Sequence, residues 1–100
     1  MTALAALADP TRQRIVEMLA AGALTSGEIA GRFAMSAPAV SQHLKTLRDA
    51  RLVTVTADKQ KRIYQLNPEG VDELAAWVDR IRAFWNPRLD ALEAALNKKD

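Results

Sequence analysis

The sequence predicts a small, mostly α-helical domain with one β-hairpin, and three observations support this fold class. The 100 residues suffice for one hydrophobic core but not for two, so one domain over residues 1–100 is expected. Apolar residues recur at helical spacing before residue 50 and after residue 68, whereas β-branched residues alternate with polar ones in between. Helix start and stop signals divide the helical segments further, so the predicted order is short helices, a hairpin and one long helix.

The N-terminal part of the chain is predicted to hold a short leading helix and a second, well-delimited one. Residues 3–8 are rich in alanine and leucine and favour one or two helical turns. Asp9 followed by Pro10 is typical of a helix start, because aspartate accepts free backbone N–H groups and proline has none to lose. Gly22 marks the end of this helix.

Two further helices joined by a short turn are predicted between residues 25 and 50. Thr25 and Glu28 have the spacing of a capping box, which opens a short helix. Ser36 can cap the next helix, from residue 37 to about residue 50. Its apolar residues form one stripe that a core can bury: Ala37, Val40, Leu44 and Leu47. This pair of helices is a helix-turn-helix.

Two strands are predicted to follow as a hairpin. Residues 52–56 (LVTVT) and 62–66 (RIYQL) alternate β-branched or aromatic side chains with polar ones, and the charged residues 57–61 connect them. A helix-turn-helix followed by such a hairpin is a winged helix-turn-helix, whose second helix fits the major groove of DNA. The four glycines are all assigned to turns and caps.

A long last helix is predicted from residue 68 to about residue 98. Pro87 should kink or break it near Trp85, because proline lacks an N–H and clashes with the preceding turn. Its apolar residues have nearly the spacing of a coiled-coil seam: Val71, Leu74, Val78, Ile81, Trp85, Leu89, Leu92 and Leu96. One small domain cannot bury this stripe, so a homodimer is predicted. The alternative is a helix that folds back over its own domain.

Composition and charge limit the functions open to the chain. With no cysteine and one histidine, disulfides, thiolate zinc sites and cysteine nucleophiles are excluded, and no catalytic triad or glycine-rich phosphate loop indicates an enzyme or a cofactor. No segment resembles a membrane span or a signal peptide, so a cytoplasmic protein is expected. Residues 36–68 hold six basic and two acidic side chains, a surplus typical of a surface that binds a polyanion.

The outward face of the helix after Ser36 suits double-stranded DNA. Gln42 can pair with adenine N6 and N7, and Lys45 suits phosphate oxygens, while the hairpin tip would lie over an adjacent backbone. The predicted DNA-binding residues are Ser36, Pro38, Ala39, Ser41, Gln42, His43, Lys45 and Thr46 on the helix and Lys59, Lys61 and Arg62 on the hairpin.

Two questions stay open at this point. A winged helix can instead bind a protein partner, and this function predicts exposed aromatic or leucine side chains where the sequence places Gln42, Lys45 and Thr46. His43 either contacts DNA or is a partly buried histidine bonded to the backbone. It has no second histidine and no cysteine with which to bind a metal.

Three segments resemble the ArsR/SmtB family of bacterial winged-helix repressors. They are residues 7–15 (LADPTRQRI), residues 36–48 (SAPAVSQHLKTLR) and residues 62–68 (RIYQLNP). The resemblance spans nearly the whole chain. It implies a homodimer that blocks transcription until an unknown small-molecule or protein effector weakens its hold on operator DNA. It also implies pairing through the first and last helices, with dimer contacts at Leu4, Leu7, Val71, Leu74, Val78, Ile81, Trp85, Leu89 and Leu92.

The sequence departs from the family in two respects. Metal-sensing relatives carry a cysteine pair before the recognition helix, or histidines and acids on the last helix, and this chain has neither set. The chain therefore resembles the metal-free subset of the family, and no metal site is predicted. Its C-terminal residues 84–85 (FW) and 88–96 (RLDALEAAL) also resemble that subset. Arg51 stands where relatives commonly have glycine, so we expect it to adopt a strained left-handed backbone conformation.

Overall fold

Five helices and a three-stranded sheet make up residues 2–97, the part of the chain that the computed structural model describes. The helices are α1 (Thr2–Ala6), α2 (Pro10–Ala20), α3 (Ser26–Ala30), α4 (Ala37–Asp49) and α5 (Pro68–Asn97), and the strands are β1 (Leu24–Thr25), β2 (Val53–Asp58) and β3 (Lys61–Leu66). This confirms the predicted winged helix-turn-helix: α3 and α4 form the helix-turn-helix, and β2 and β3 form the wing.

Side chains cap α2, α3 and α4 as the sequence predicts. The Asp9 carboxylate accepts from the Arg12 N–H at 3.0 Å, and the Ser36 hydroxyl accepts from the N–H three residues later at 3.3 Å. Thr25 and Glu28 form the reciprocal capping box, with distances of 2.9 and 3.1 Å. The pKa of the Asp9 carboxyl is lowered mainly because the backbone N–H of Arg12 stabilises its charged form.

A third strand, β1, completes the sheet and was not predicted from the sequence. The strand order is β1-β3-β2, and both pairings are antiparallel. Leu24 pairs with Tyr64 and Thr25 with Ile63. Two residues are too few to show an alternating pattern, so β1 is defined only by its partner strand.

The wing is longer than predicted, and its loop is shorter. Asp58 pairs with Lys61, so Lys59 and Gln60 alone form the loop, in place of the predicted residues 57–61. Lys59 has φ +60°, because a tight two-residue hairpin loop needs a positive φ at its first position. The loop geometry therefore places a lysine side chain at the very tip of the wing.

The hydrophobic core lies between α2, α3, α4 and the base of the wing. Its most buried large side chains are Ile15, Ile29, Val40, Leu44, Leu47, Leu52 and Val53. The predicted stripe of α4 supplies three of them, while Ala37, which was predicted to belong to that stripe, is exposed at the first position of the helix. Burial of each side chain of this size stabilises the fold by roughly 1.5–3 kcal/mol. Because turning α4 about its axis would expose its three buried side chains, the outward face of the helix is fixed.

The C-terminus of α4 is docked directly on the first turn of α5. Arg51 has φ +63°, as expected, and the N–H groups of Arg51 and Leu52 donate to Arg48 O and Leu47 O at 2.9 and 3.0 Å, which is a Schellman motif. A Cβ on Gly70 would lie 1.7 Å from the Arg51 carbonyl oxygen. The assignment of all four glycines to turns and caps was therefore wrong, since Gly70 lies within α5 and permits this contact.

Polar contacts support the same junction. The Asn67 side-chain amide donates to Arg51 O at 2.9 Å, and the Arg51 guanidinium pairs with Glu73 at 2.9 Å and with Glu69 at 3.6 Å. These ion pairs are exposed, so they contribute at most about 1 kcal/mol. The close backbone contact is the stronger constraint.

Helix α5 is one helix of 30 residues that extends beyond the core. It continues through Pro87, so of the kink or break predicted near Trp85 the break is absent; the predicted end at residue 98 lies outside the described residues. The Arg88 guanidinium donates to Phe84 O at 2.7 Å beside the proline. The described part of the chain measures 70 × 27 × 22 Å, and from Val78 to the end of α5 its residues are exposed. The helix does not fold back over its own core.

Candidate nucleic-acid interface

The outward face of α4 is polar because the opposite face is buried in the core. Ser36, Pro38, Ser41, Gln42 and Lys45 are exposed, and Ala39, His43 and Thr46 lie half-buried on the flanks. The Thr46 hydroxyl donates to Gln42 O at 3.1 Å, so its proton is already used within the helix. The face that the sequence predicted to read DNA is therefore accessible, with Gln42 and Lys45 at its centre.

A shallow recess joins this face of α4 to the wing. It is lined by Ser41, Gln42, Lys45, Arg48, Arg62 and Tyr64. Arg62 lies on β3, and alternation along the strand places its side chain on the same face as that of Tyr64. The recess thus combines three neutral side chains that can form hydrogen bonds with three cationic ones.

The three predicted wing residues do not lie together. Lys59 occupies the loop tip, and Lys61 alternates to the sheet face opposite Arg62. The charge of Lys61 reaches Glu28 of α3: the pKa of Glu28 is lowered first by the backbone N–H of Thr25 and further by the charges of Arg32 and Lys61. The cationic side chains therefore flank the wing on both faces and at its tip.

Arg48 belongs to this surface; the family resemblance implied a DNA-contacting face from Ser36 to Arg48, but Arg48 itself was not among the predicted DNA-binding residues. It is exposed and lines the recess beside Lys45. Ser41, Lys45 and Arg48 follow one another at intervals of four and three residues, which places them on one side of a helix. This spacing was visible in the sequence and could have identified Arg48.

His43 is held by a side chain of α2 rather than by the backbone. An Arg12 Nη1 atom lies 3.2 Å from His43 Nδ1, and Arg12 Nε donates to Ala6 O at 2.6 Å. Neither of the two interpretations of His43 included a side-chain partner 31 residues away along the chain.

A second surface, which we call the apolar seam, runs along α5 and continues onto α1. Its members are Leu4, Leu7, Val71, Leu74, Val78, Ile81, Trp85, Leu89 and Leu92, the predicted dimer residues. Exposure rises along the helix from 37% at Val78 to 51% at Trp85 and 56% at Leu92. A continuous apolar face of this length on one chain is typical of a protein–protein contact.

Metal binding has no candidate site in the described part of the chain. Within residues 2–97, no three histidine, aspartate or glutamate side chains are grouped so that they could hold a metal ion. Within the same residues, no helix is long and apolar enough to cross a membrane.

The chain matches a known family model and several known regulators. The model described as "Bacterial regulatory protein, arsR family" matches residues 9–55, from the N-cap of α2 into β2. The HTH-type transcriptional regulator Rv2034 of Mycobacterium tuberculosis is 50% identical over 84 residues, which cover 84% of this chain and 76% of that protein. An arsenical resistance operon repressor of Staphylococcus xylosus is 38% identical over 80 residues, covering 80% and 77% of the two chains.

Solved structures are similar over most of the chain. The crystal structure of a possible transcriptional regulator for arsenical resistance has a TM-score of 0.76 at 39% identity and covers 98% of this chain and 99% of that one. The solution structure of the homodimeric winged helix-turn-helix DNA-binding domain of Mb0332 from Mycobacterium bovis has a TM-score of 0.67 at 27% identity, covering 82% and 76%.

Proposed function

The chain belongs to the ArsR family of bacterial regulatory proteins and is a DNA-binding transcriptional regulator, and we propose that it represses transcription as a homodimer bound to an inverted-repeat operator. One observation carries the proposal: the polar face of α4 continues through the recess to Arg62 of the wing. An effector, a small molecule or a protein, releases the DNA. Residues 1–100 act in the cytoplasm as one DNA-binding domain, with α5 as the dimerisation helix.

Within this function, α4 enters the major groove and its side chains divide into two groups. Gln42 reads a base, because its amide can donate to and accept from one adenine edge. Ser41 contacts a base edge or a phosphate, and Pro38 and Ala39 offer small apolar contacts to a thymine methyl group. Lys45 and Arg48 bind phosphate oxygens, as do the backbone N–H groups beside Ser36 at the start of α4.

The wing contacts the DNA backbone next to that groove. Lys59 and Arg62 are exposed at the tip and on the α4 side, and Lys61 supplies charge on the other face. Phosphate contacts of this kind add affinity without reading sequence.

The homodimer explains the apolar seam. A two-fold axis that pairs α1 and α5 with their copies covers these side chains and sets the two α4 helices on successive major grooves, about 34 Å apart. The homodimeric state of the Mb0332 domain supports this arrangement.

Binding of a protein partner through the α4 face is not favoured. The exposed large apolar side chains of the described residues lie on α1 and α5, at Leu4 and from Val78 onward, and none lies on the outward face of α4. A groove for a partner helix or strand would need such side chains at its centre.

The test is selection of duplexes from a random-sequence pool, followed by fluorescence anisotropy with the selected duplex and a scrambled one. We expect tight binding to the selected duplex, a two-fold symmetric consensus, and a steep loss of affinity between about 50 and 200 mM salt. Equal, weak binding to both duplexes would contradict a sequence-specific regulator.

Replacing Gln42 with alanine should relax specificity at one position in each half-site. The side chain is exposed at the centre of the α4 face, and loss of a bidentate base contact removes about 1–3 kcal/mol of discrimination. The check is a comparison of anisotropy titrations on duplexes with single substitutions. The control is Arg80→Gln on α5, which lies outside the interface. Ser36→Ala cannot serve as the control, because Ser36 caps α4. An unchanged preference in Gln42→Ala would show that another residue reads the operator.

Replacing both Lys59 and Lys61 with glutamine should weaken binding to every sequence alike. Each lost phosphate contact reduces the slope of log affinity against log salt by about 0.9. Glutamine keeps a side chain at the positive φ of Lys59, so the strain of the loop is similar in both proteins. Selective loss of affinity for the preferred duplex, with an unchanged salt slope, would mean that the wing reads bases.

A further inference from the structure

Arg12 connects three helices through separate atoms. Its Nε donates to Ala6 O at the end of α1 at 2.6 Å, and its Nη1 lies 3.2 Å from His43 Nδ1 on α4. Its own backbone N–H is held by the Asp9 carboxylate at the start of α2. The guanidinium therefore joins α1, part of the apolar seam, to the helix that carries the DNA-reading face.

The chemistry of this contact fixes the tautomer of His43. A guanidinium has only donors, so the ring nitrogen that faces it must accept, and the proton of a neutral ring must be on Nε2. Within residues 2–97, Nε2 has no hydrogen-bond partner, and no buried side-chain nitrogen is left unpaired. The Nε2–H group is therefore open to solvent on the side of the ring away from Arg12.

We infer that Arg12 is a positioning residue for DNA binding: by bonding to Nδ1 it presents His43 Nε2–H as a donor to a DNA phosphate. The inference rests on the proposed function; it adds Arg12 and gives the predicted DNA contact of His43 a specific donor atom. His43 lies beside Gln42, so a phosphate bound there would fix the register of α4 in the groove. Because Arg12 also holds α1, the same side chain links the dimer surface to the position of that donor.

The tautomer can be measured without DNA. His43 is the sole histidine, so one set of imidazole signals appears in a nitrogen–proton correlation spectrum. In spectra recorded at about pH 8.5, we expect protonated Nε2 and unprotonated Nδ1. In Arg12→Met, which keeps the side-chain length without a donor, we expect a mixture of the two tautomers. A protonated Nδ1 in the wild-type protein would overturn the inference.

The effect on function is measured with the selected duplex. We expect Arg12→Met to weaken binding about tenfold, as loss of a charged hydrogen bond does. Arg14→Met is the matched control, because it removes the same charge from α2 at an exposed residue that contacts Phe33 rather than α4. It should bind within about twofold of wild type. His43→Ala should match Arg12→Met, and the double variant should lose no more than about twofold further.

If Arg12→Met does not fold, two variants of His43 still test whether its Nε2–H group donates to DNA. His43→Asn keeps an acceptor near Nδ1 but has no outer N–H, whereas His43→Gln places an amide N–H near Nε2. We expect His43→Asn to lose about as much affinity as His43→Ala and His43→Gln to recover part of it. Equal affinity of Arg12→Met and Arg14→Met, independent effects of Arg12 and His43, or wild-type affinity of His43→Asn would each overturn the inference. If the wild-type protein itself does not prefer the selected duplex, the proposed function fails instead.

Discussion

Gly70→Ala is expected to lower the free energy of unfolding by about 3 kcal/mol or more. The added Cβ would lie 1.7 Å from the Arg51 carbonyl oxygen and 2.7 Å from its carbonyl carbon, and both are backbone atoms. Neither can move alone, since the Schellman motif fixes Arg51 and the Asn67 amide also donates to its carbonyl. The first turn of α5 must therefore shift away from α4.

Gly27→Ala is the matched control for this variant. Gly27 is also helical, but a Cβ there would meet only the Thr25 hydroxyl oxygen, at 3.9 Å. Alanine should then be neutral or stabilise the protein by up to about 1 kcal/mol. Urea unfolding followed by circular dichroism, at one protein concentration for all variants, measures both effects. Equal stability of Gly70→Ala and wild type would show that α4 and α5 are not in this contact.

Under the proposed function the same junction matters for DNA binding, because it joins α4, the helix proposed to read DNA, to α5, the helix proposed to pair with its copy. In a homodimer the two α4 helices must meet their grooves at a fixed separation, and that separation depends on the angle between α4 and α5. Arg51 and Gly70 fix this angle by backbone contact, which side-chain ion pairs at the surface could not do as rigidly. The left-handed conformation of Arg51 in this junction costs about 1 kcal/mol of strain.

Local signals predicted most of the fold. Asp9, Thr25 and Ser36 marked three helix starts, because each cap forms between residues three positions apart. Strand β1 and the contact of Gly70 with Arg51 were not predicted, since each depends on a neighbour distant in sequence. Strand β1 forms only beside β3, and residue 70 must be glycine only because α5 meets the end of α4 there. At Pro87 the sequence left a kink and a break both open, and the structure shows a helix without a break.

The candidate site was predicted in part, for a related reason. The outward residues of α4 follow from helical periodicity once its buried stripe is known, and the structure leaves that face open. The contact between Arg12 and His43 could not be predicted, because it depends on how α2 crosses α4. Strand alternation places Lys61 and Arg62 on opposite faces of the sheet, but only when the strand begins at Lys61. The predicted strand began one residue later, at Arg62, so this placement was missed.

Trp85→Asp is expected to raise the dissociation constant of the dimer about 1,000-fold or more. Trp85 lies in the middle of the apolar seam with 51% of its surface exposed in the single chain. In a two-fold interface the substitution acts twice, and loss of each central aromatic costs at least about 2 kcal/mol, before any cost of placing two carboxylates in the seam. Sedimentation velocity over a range of protein concentrations measures the shift.

Ala83→Asp is the control, because two residues along a helix rotate the side chain to the opposite face, where the position is exposed and outside the seam. It introduces the same charge near the same point of α5 and should leave the dimer intact. The DNA consequence separates dimerisation from groove contact: Trp85→Asp should lose the affinity gained from the second half-site while binding a single half-site like wild type. A dimer of wild-type stability in Trp85→Asp would place the contact between the two copies elsewhere on the chain, and the exposed apolar face of α5 would then need a different partner.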